Sequence, residues 1–217
     1  MLMDLINYVK DNYDLILKLT GQHISLAGIG VLLACAVGIP IGFLIVNHKK
    51  LSKVVVNIAN IIQTIPSLAL FAFAMPLFGI GSPPAIFALF LYALLPIIKN
   101  TFIGINNVDP AIIEAARGMG MSKTQIMFKV EVPMAISVIM GGIRIATVTG
   151  IGITTIAAMI GAGGLGQLIY QGLSMMNYEM IFTGAISSAL LALLADFILG
   201  MLEMKLTSKG IVKEETI

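Results

Sequence analysis

Two charged side chains lie deep inside long apolar stretches of this sequence, and they are the residues there best able to do chemistry. Arg144 lies in the stretch from about 132 to 160, and Asp196 lies in the stretch from about 180 to 204, which Glu203 also interrupts near its end. On helices, Arg144 would lie roughly 18 Å from the start of its stretch and Asp196 roughly 14 Å from the end of its stretch, and both distances are counted from the same side of the protein. An unpaired charge in hydrocarbon costs on the order of a few kcal/mol or more. We therefore predict that Arg144 and Asp196 approach each other, directly or through water, as a structural pair or as part of a proton relay.

Two glycine-rich segments share part of the spacing of nucleotide-binding motifs. The first contains Gly161, Gly163, Gly164 and Gly166, but a dinucleotide fingerprint follows a strand, and this segment follows a membrane-length apolar stretch. In the second segment, 118–124, a serine precedes the lysine where a phosphate-binding loop requires glycine. We predict a tight bend or an external contact at 161–166, with simple loop flexibility as the alternative, and no ATP hydrolysis by this chain.

The polar residues form no catalytic or metal-binding set. His23 and His48 flank the first long apolar stretch at opposite ends, so they cannot bind one metal together, and we expect both at the membrane interfaces. No Ser–His–Asp arrangement and no pair of carboxylates falls on one face. We expect no catalytic, cofactor-binding or metal-binding residue.

The composition indicates which elements must position these residues. Of 217 residues, 58% are hydrophobic and only 11% are charged, and the mean hydropathy is +1.00. Soluble domains carry about 25% charged residues, so an ordinary soluble enzyme, a disordered chain and a disulfide-stapled secreted domain are excluded. The net charge of +2 gives no reason to expect nucleic-acid binding. The composition predicts an all-α integral membrane protein.

Charged and helix-breaking residues divide the chain into five expected membrane spans, because a span needs about 20 apolar residues. These lie near 24–46, 54–76, 84–104, 132–160 and 180–204. Residues 1–22 are predicted to form an amphipathic segment on the outer side, lying at the interface or packed on other helices. Residues 23–206 would form the membrane domain, and 207–217 would form a tail.

The lysines and arginines predict the orientation. Ten fall on the loops and tail of one side, two fall in the N-terminal segment, and Arg144 lies within a span. The positive-inside rule therefore places the N-terminus outside and the C-terminus inside.

The second span carries a polar stripe. Its residues follow helical spacing, and a proline and a serine come directly after them. Polar groups on a spanning helix turn away from lipid, so we predict the wall of a solute path, with interhelical hydrogen bonding as the alternative. The residues are Asn57, Asn60, Gln63, Thr64, Pro66 and Ser67.

The loop between the third and fourth spans is predicted to contain two short helices. Asp109, followed by a proline, is an N-cap, and Gly118 and Gly120 end the first helix. Ser122 and Gln125 form a capping box that begins the second helix. A structured loop on the inner side of a protein with little soluble mass predicts docking onto another protein.

This loop resembles the EAA loop of ABC importer permeases of type I. Glu114-Ala115-Ala116 is followed by Gly120 and then by Pro133 at the family spacing, with two valines where the family has isoleucine and leucine. The resemblance covers nearly the whole chain. It implies the methionine-permease-like fold with five spans, and coupling helices over about 110–130 that dock on an ATPase. The coupling residues it implies are Glu114, Ala115, Ala116, Gly118, Gly120 and Pro133.

Segments 63–69 and 160–166 are similar to those of osmoprotectant permeases, which move glycine betaine, carnitine, choline or related quaternary ammonium solutes. The alternatives are a permease for another small solute, such as methionine, or a secondary transporter driven by an ion gradient.

The resemblance also implies partners. These are two ABC ATPase subunits that bind ATP and magnesium, a second permease subunit, more readily a paralogue than an identical copy, and an extracellular binding protein. The setting would be the plasma membrane of a prokaryote, in contact with lipid.

Overall fold

The computed structural model describes residues 2–207, and all regular secondary structure in that range is helical. Ten α-helices are joined by short turns, and the predicted tail lies outside the described residues except for Thr207. The helices are α1 Leu2–Asp11, α2 Tyr13–Val46, α3 Lys49–Thr64, α4 Ser67–Phe78, α5 Ser82–Asn106, α6 Pro110–Gly118, α7 Lys123–Ile126, α8 Val132–Ala157, α9 Gly166–Met175 and α10 Tyr178–Leu206.

The centre of the molecule is the packing of α5 against α2 on one side and α8 on the other. Ala34, Ile97 and Ala146 are almost fully buried where the three helices meet. Glycines allow the close approach, since a Cβ on Gly42 would lie 2.6 Å from the Thr101 side chain. Small residues therefore allow α2, α5 and α8 to pack closely together.

The first long helix begins before the predicted span. Helix α2 starts at Tyr13 and continues to Val46, so it crosses the predicted boundary at residue 22 without interruption. The preceding helix α1 contacts α10 and α2. Ile6 and Val9 on α1 remain exposed in the single chain. The amphipathic segment is thus partly packed on the chain's own helices.

The second predicted span is a bent pair of helices. Helices α3 and α4 meet at an angle of 99°, with Ile65 and Pro66 between them. Pro66 supplies no N–H and disfavours helical geometry at the preceding residue, which has a ψ of 126°. The span predicted near 54–76 is therefore built from two helices with a sharp bend between them.

The fourth predicted span is longer than expected, because the second loop helix runs directly into it. A π-helical turn, Met127–Glu131, joins α7 to α8, and the Val132 N–H donates to the Met127 carbonyl. Pro133 follows at the start of α8. Its ring would crowd the carbonyl of the turn below, and the wider π turn accommodates it. Residues 123–160 form one apolar helical unit.

The segment between α8 and α10, which lies between the fourth and fifth predicted spans, contains helix α9. This helix packs against α10 and α8. Counting α3 and α4 as one bent crossing, the described chain has five segments long and apolar enough to cross a membrane; without that pair it has four.

Candidate functional site

The loop between α5 and α8 has the capped helices that its sequence predicts. The Ala111 N–H donates to Asp109 Oδ1 at 2.8 Å, which caps α6. The Ser122 N–H donates to Gln125 Oε1 at 2.8 Å, and the Gln125 N–H donates to Ser122 Oγ at 3.3 Å. Both predicted helix starts are confirmed, and the loop is held in one shape by its own polar side chains.

Gly120 joins the two loop helices in a left-handed conformation, with a φ of +81°. No atom lies within 4 Å of a Cβ built on Gly120 or on Gly118. Space is therefore available at both positions, but only position 120 has a backbone conformation that favours glycine. Gly118 is the last residue of α6, in agreement with its predicted place at the helix end.

The loop presents an open surface. Glu114 and Ala115 are exposed on α6, whereas Ala116 is 1% exposed and packs inward. Two large apolar side chains nearby, Met119 and Phe128, are 75% and 62% exposed. Sequence analysis did not single these two out, although exposed apolar residues beside a charged helix are the usual mark of a protein contact.

The predicted polar stripe lies on α3 and at its break from α4. Pro66 lies in the break, and Ser67 begins α4. In the single chain the stripe is exposed. Contact with lipid would leave its polar side chains without hydrogen-bond partners, which is energetically costly. The four stripe residues that are exposed on α3 are Asn57, Asn60, Gln63 and Thr64.

Tyr92 on α5 fixes the break between α3 and α4. Its hydroxyl donates to the Ile65 carbonyl, which the end of α3 leaves without a helical partner. In return, Gln63 Nε2 donates to the Tyr92 carbonyl at 3.1 Å. Gln63, a member of the stripe, therefore helps to hold the bend through its side-chain hydrogen bond. Sequence analysis missed Tyr92, because nothing in its spacing marks it.

The ion pair expected within the spans is present. Arg144 Nε donates to Asp196 Oδ1 at 2.9 Å, and Nη2 donates to Oδ2 at 2.9 Å. This two-pronged arrangement joins α8 to α10 with the geometry that guanidinium and carboxylate groups favour. The predicted approach of Arg144 and Asp196 is confirmed.

Two further residues complete this cluster. Arg144 Nη1 donates to Glu203 Oε2 at 3.0 Å, and Ser137 Oγ donates to Glu203 Oε1 at 2.6 Å. Sequence analysis noted Glu203 only as an interruption of the last span. Its position, seven residues or about two helical turns after Asp196, is the signal that could have identified it.

The glycine segment 161–166 forms a tight bend, which is one of the forms that its sequence predicts. Gly161, Gly163 and Gly164 all have φ between +76° and +83°. A Cβ on Gly166 would lie 1.9 Å from the Thr155 carbonyl oxygen, so α9 can leave α8 only at a glycine. The bend is a requirement of the backbone rather than a flexible connection.

His23, which we expect at a membrane interface, is buried in the protein and holds this bend from α2. The side chain is 0% exposed. The Leu165 N–H donates to Nδ1 at 3.2 Å, and Nε2 lies 3.0 Å from the Ile151 carbonyl oxygen. A neutral ring that accepts at Nδ1 and donates from Nε2 satisfies both contacts. His48 is exposed at the corner between α2 and α3.

Comparison with known proteins identifies the family to which this helical chain belongs. Residues 30–208 match the family model of the binding-protein-dependent transport system inner membrane component. This chain belongs to that family. The match covers every predicted span except the beginning of the first, and it includes the loop between α5 and α8.

Relatives of this inner membrane component are transport permeases. It is 45% identical to the carnitine transport permease protein OpuCB of Listeria monocytogenes, over 95% of both chains. It is 47% identical to the osmoprotectant import permease protein OsmW of Salmonella typhimurium, over 96% of this chain and 100% of the other. It is 44% identical to the glycine betaine/carnitine/choline transport system permease protein OpuCD of Bacillus subtilis, over 95% and 91%.

Solved structures show the same fold. The methionine ABC transporter MetNI, in an inward-facing conformation, superposes with a TM-score of 0.81 at 24% identity over 91% of this chain and 99% of that one. An amino acid ABC transporter in complex with histidines superposes with a TM-score of 0.73 at 22% identity, over 93% and 98%. The predicted all-helical ABC importer permease fold is confirmed.

Proposed function

We propose that this inner membrane component is the permease subunit of an ATP-driven importer of quaternary ammonium osmoprotectants. The observation that carries this proposal is the pre-formed docking loop, with its EAA spacing and left-handed Gly120, in a chain 41–47% identical to osmoprotectant permeases. The likeness to the methionine transporter lies at 24% identity and supports the fold only.

The loop is the proposed contact with the ATPase. Its two capped helices give a rigid surface on which force can act, and Met119 and Phe128 would fit an apolar cleft. The loop joins directly to α8 through the π turn, so a displacement of the loop would move a spanning helix. ATP and magnesium would bind to the partner, and this chain would supply no residue to hydrolysis.

The orientation follows from the basic residues, with the N-terminus outside and the docking loop in the cytoplasm of a prokaryotic cell. Two ATPase subunits would dock from below. An extracellular binding protein would deliver the solute from above, near the glycine bend at 161–166.

A second permease subunit would complete the solute path. The polar stripe on α3 is exposed in the single chain, and lipid cannot satisfy its amide groups. Two such faces placed opposite each other enclose a polar passage. Relatives occur under paired names, OpuCB and OpuCD, in one organism, which favours a paralogue over an identical copy.

Uptake by the assembled transporter in proteoliposomes tests this function. We expect glycine betaine, carnitine or choline to accumulate only when ATP and the binding protein are present, and to stop when the ATPase is inactivated by mutation. Accumulation driven by an ion gradient without ATP would support the secondary transporter instead. Transport of methionine alone would contradict the proposed solute class.

A further inference from the structure

A groove beside the ion cluster has no role in the proposed coupling. It runs between α8 and α10 and has a volume of about 530 Å³, within the range of small-molecule sites. Its wall is mainly apolar, and its charged floor is formed by Arg144 and Asp196. The other lining residues are Gly141, Ile145, Val148, Thr149, Ala192 and Leu193.

The charged floor is open to the groove. The side chains of Arg144 and Asp196 are 34% and 42% exposed, whereas Glu203 behind them is 19% exposed. Both residues lie well inside their spans, where contact with lipid would cost on the order of a few kcal/mol or more for each charge. The groove must therefore face water or another protein rather than lipid.

The cluster has unused capacity to bind a solute. A guanidinium has five N–H donors. Among residues 2–207, three of those of Arg144 go to Asp196 and Glu203, which leaves two for a further acceptor. One cation and two carboxylates give the cluster a formal charge of −1, so it also attracts a positive group. A Cβ built on Gly200 would lie 3.5 Å from Arg144 Cζ, so any larger residue at this position would contact the guanidinium.

We propose that this groove is a low-affinity site for a zwitterionic quaternary ammonium solute. The trimethylammonium group would lie against the apolar wall beside Asp196, since it has no N–H to donate and needs only diffuse negative charge and methyl contacts. The solute carboxylate would accept from the two remaining N–H groups of Arg144. Uptake requires release of the bound solute, so weak binding suits a site that takes part in transport.

The inference rests on the proposed function for the identity of the solute, but binding can be measured without transport. We would record saturation-transfer NMR of glycine betaine with the purified permease complex in lipid nanodiscs, without ATP or binding protein. We expect saturation of the trimethylammonium protons. The neutral-headed isostere 3,3-dimethylbutyrate has the same shape without the positive charge, and we expect it to bind at least tenfold more weakly.

Two matched variants locate the site. Ala192→Phe fills the groove and leaves the ion cluster intact, whereas Leu190→Phe adds the same ring at an exposed position of α10 outside the groove. We expect the signal and the uptake rate to fall at least tenfold in the first variant and less than twofold in the second. Normal binding and uptake in Ala192→Phe, or equal binding of the isostere, would overturn the proposal.

Cysteine labelling separates the possible occupants of the groove. Cys35 is the only cysteine, so Cys35→Ala provides a cysteine-free background. In that background we expect Thr149→Cys to react with a membrane-impermeant thiol reagent and to be protected by glycine betaine. Lack of reaction would show that lipid or protein covers the groove, and disulfide formation with a cysteine in the second permease would show that protein does. Either result would overturn the site.

The two proposals fail in different ways. If wild-type permease transports glycine betaine with ATP but gives no saturation signal, the function stands and the groove site is wrong. If the signal is present but no ATP-driven uptake occurs, the site stands and the importer proposal is wrong.

Discussion

At the scale of single residues, side chains with hydrogen-bonding groups join distant parts of the chain inside the helical bundle, and His23 and Arg144 are two of them. His23 joins α2 to the carbonyl of Ile151 in α8 and to the N–H of Leu165 in the glycine bend. Arg144 joins α8 to α10 through Asp196 and Glu203. Apolar contacts have no preferred direction, whereas these hydrogen bonds and ion pairs require a defined geometry. They therefore help to fix the register of the helices.

A substitution of His23 tests the first of these contacts. His23→Leu replaces the imidazole with an apolar side chain of related size. The buried Leu165 N–H is then left without its acceptor. We expect the free energy of unfolding to fall by about 1–3 kcal/mol, the cost of an unsatisfied buried donor. Chemical unfolding in detergent measures it.

The matched control is His48→Leu, because His48 is exposed at the corner between α2 and α3. We expect a change within about 0.5 kcal/mol, as for most surface substitutions. Equal effects of the two variants would mean that the hydrogen bonds of His23 do not stabilise the bend.

At the scale of elements, the loop between α5 and α8, which we propose contacts the ATPase, is a rigid unit whose shape depends on its ends. Asp109 and the Ser122–Gln125 capping box hold the two helix starts, and Gly120 turns the chain between them. The loop then continues through a π turn into α8 without a flexible joint. Movement at the ATPase surface would therefore be transmitted as a displacement of the whole helix.

Two glycines in this loop allow a matched test. Gly120→Val places a branched side chain at a φ of +81°, where even alanine costs about 1–2 kcal/mol. We expect ATP-driven uptake to fall at least tenfold while membrane insertion is unchanged. Uptake assays and quantification of the membrane-inserted chain measure the two effects.

Gly118→Ala is the control, because Gly118 ends α6 and has open space around it. Alanine favours helix at such a position, so we expect uptake close to wild type. Normal uptake in Gly120→Val would count against the loop as the coupling element, and loss of uptake in both variants would point to a surface contact rather than to backbone conformation.

At the scale of the whole molecule, the basic residues lie mainly on one side, and the single chain leaves polar surfaces exposed on its spanning helices. The ten basic residues on one side predict which end faces the cytoplasm. The exposed polar stripe on α3 and the groove between α8 and α10 are both surfaces that lipid cannot satisfy. The folded chain therefore presents two surfaces that water or a partner must cover.

The orientation predicts opposite labelling of two exposed positions in intact cells. In the Cys35→Ala background, we expect Asp14→Cys, near the N-terminus, to react with an impermeant thiol reagent added outside. Thr124→Cys in the docking loop should react only after the membrane is opened. The reverse pattern would invert the orientation and move the loop away from any cytoplasmic ATPase.

Much of the fold follows from local patterns in the sequence. The apolar stretches give the spanning segments because helical hydrogen bonds are the only local way to satisfy a backbone in lipid. The caps of the coupling loop are short-range contacts within three residues, and they form as predicted. The pairing of Arg144 and Asp196 follows from the cost of burying either charge alone.

The sequence by itself thus determined the membrane class, the number of apolar segments, the capped loop and the need for a charge partner. Only the tertiary structure decided that α3 and α4 meet at 99° on Tyr92, that His23 is buried in the glycine bend, and that Glu203 joins the Arg144 pair. The physical reason is range. Caps, hydropathy and charge cost are set within a few residues, whereas these three contacts join residues 27, 142 and 59 positions apart, whose meeting depends on how the helices pack.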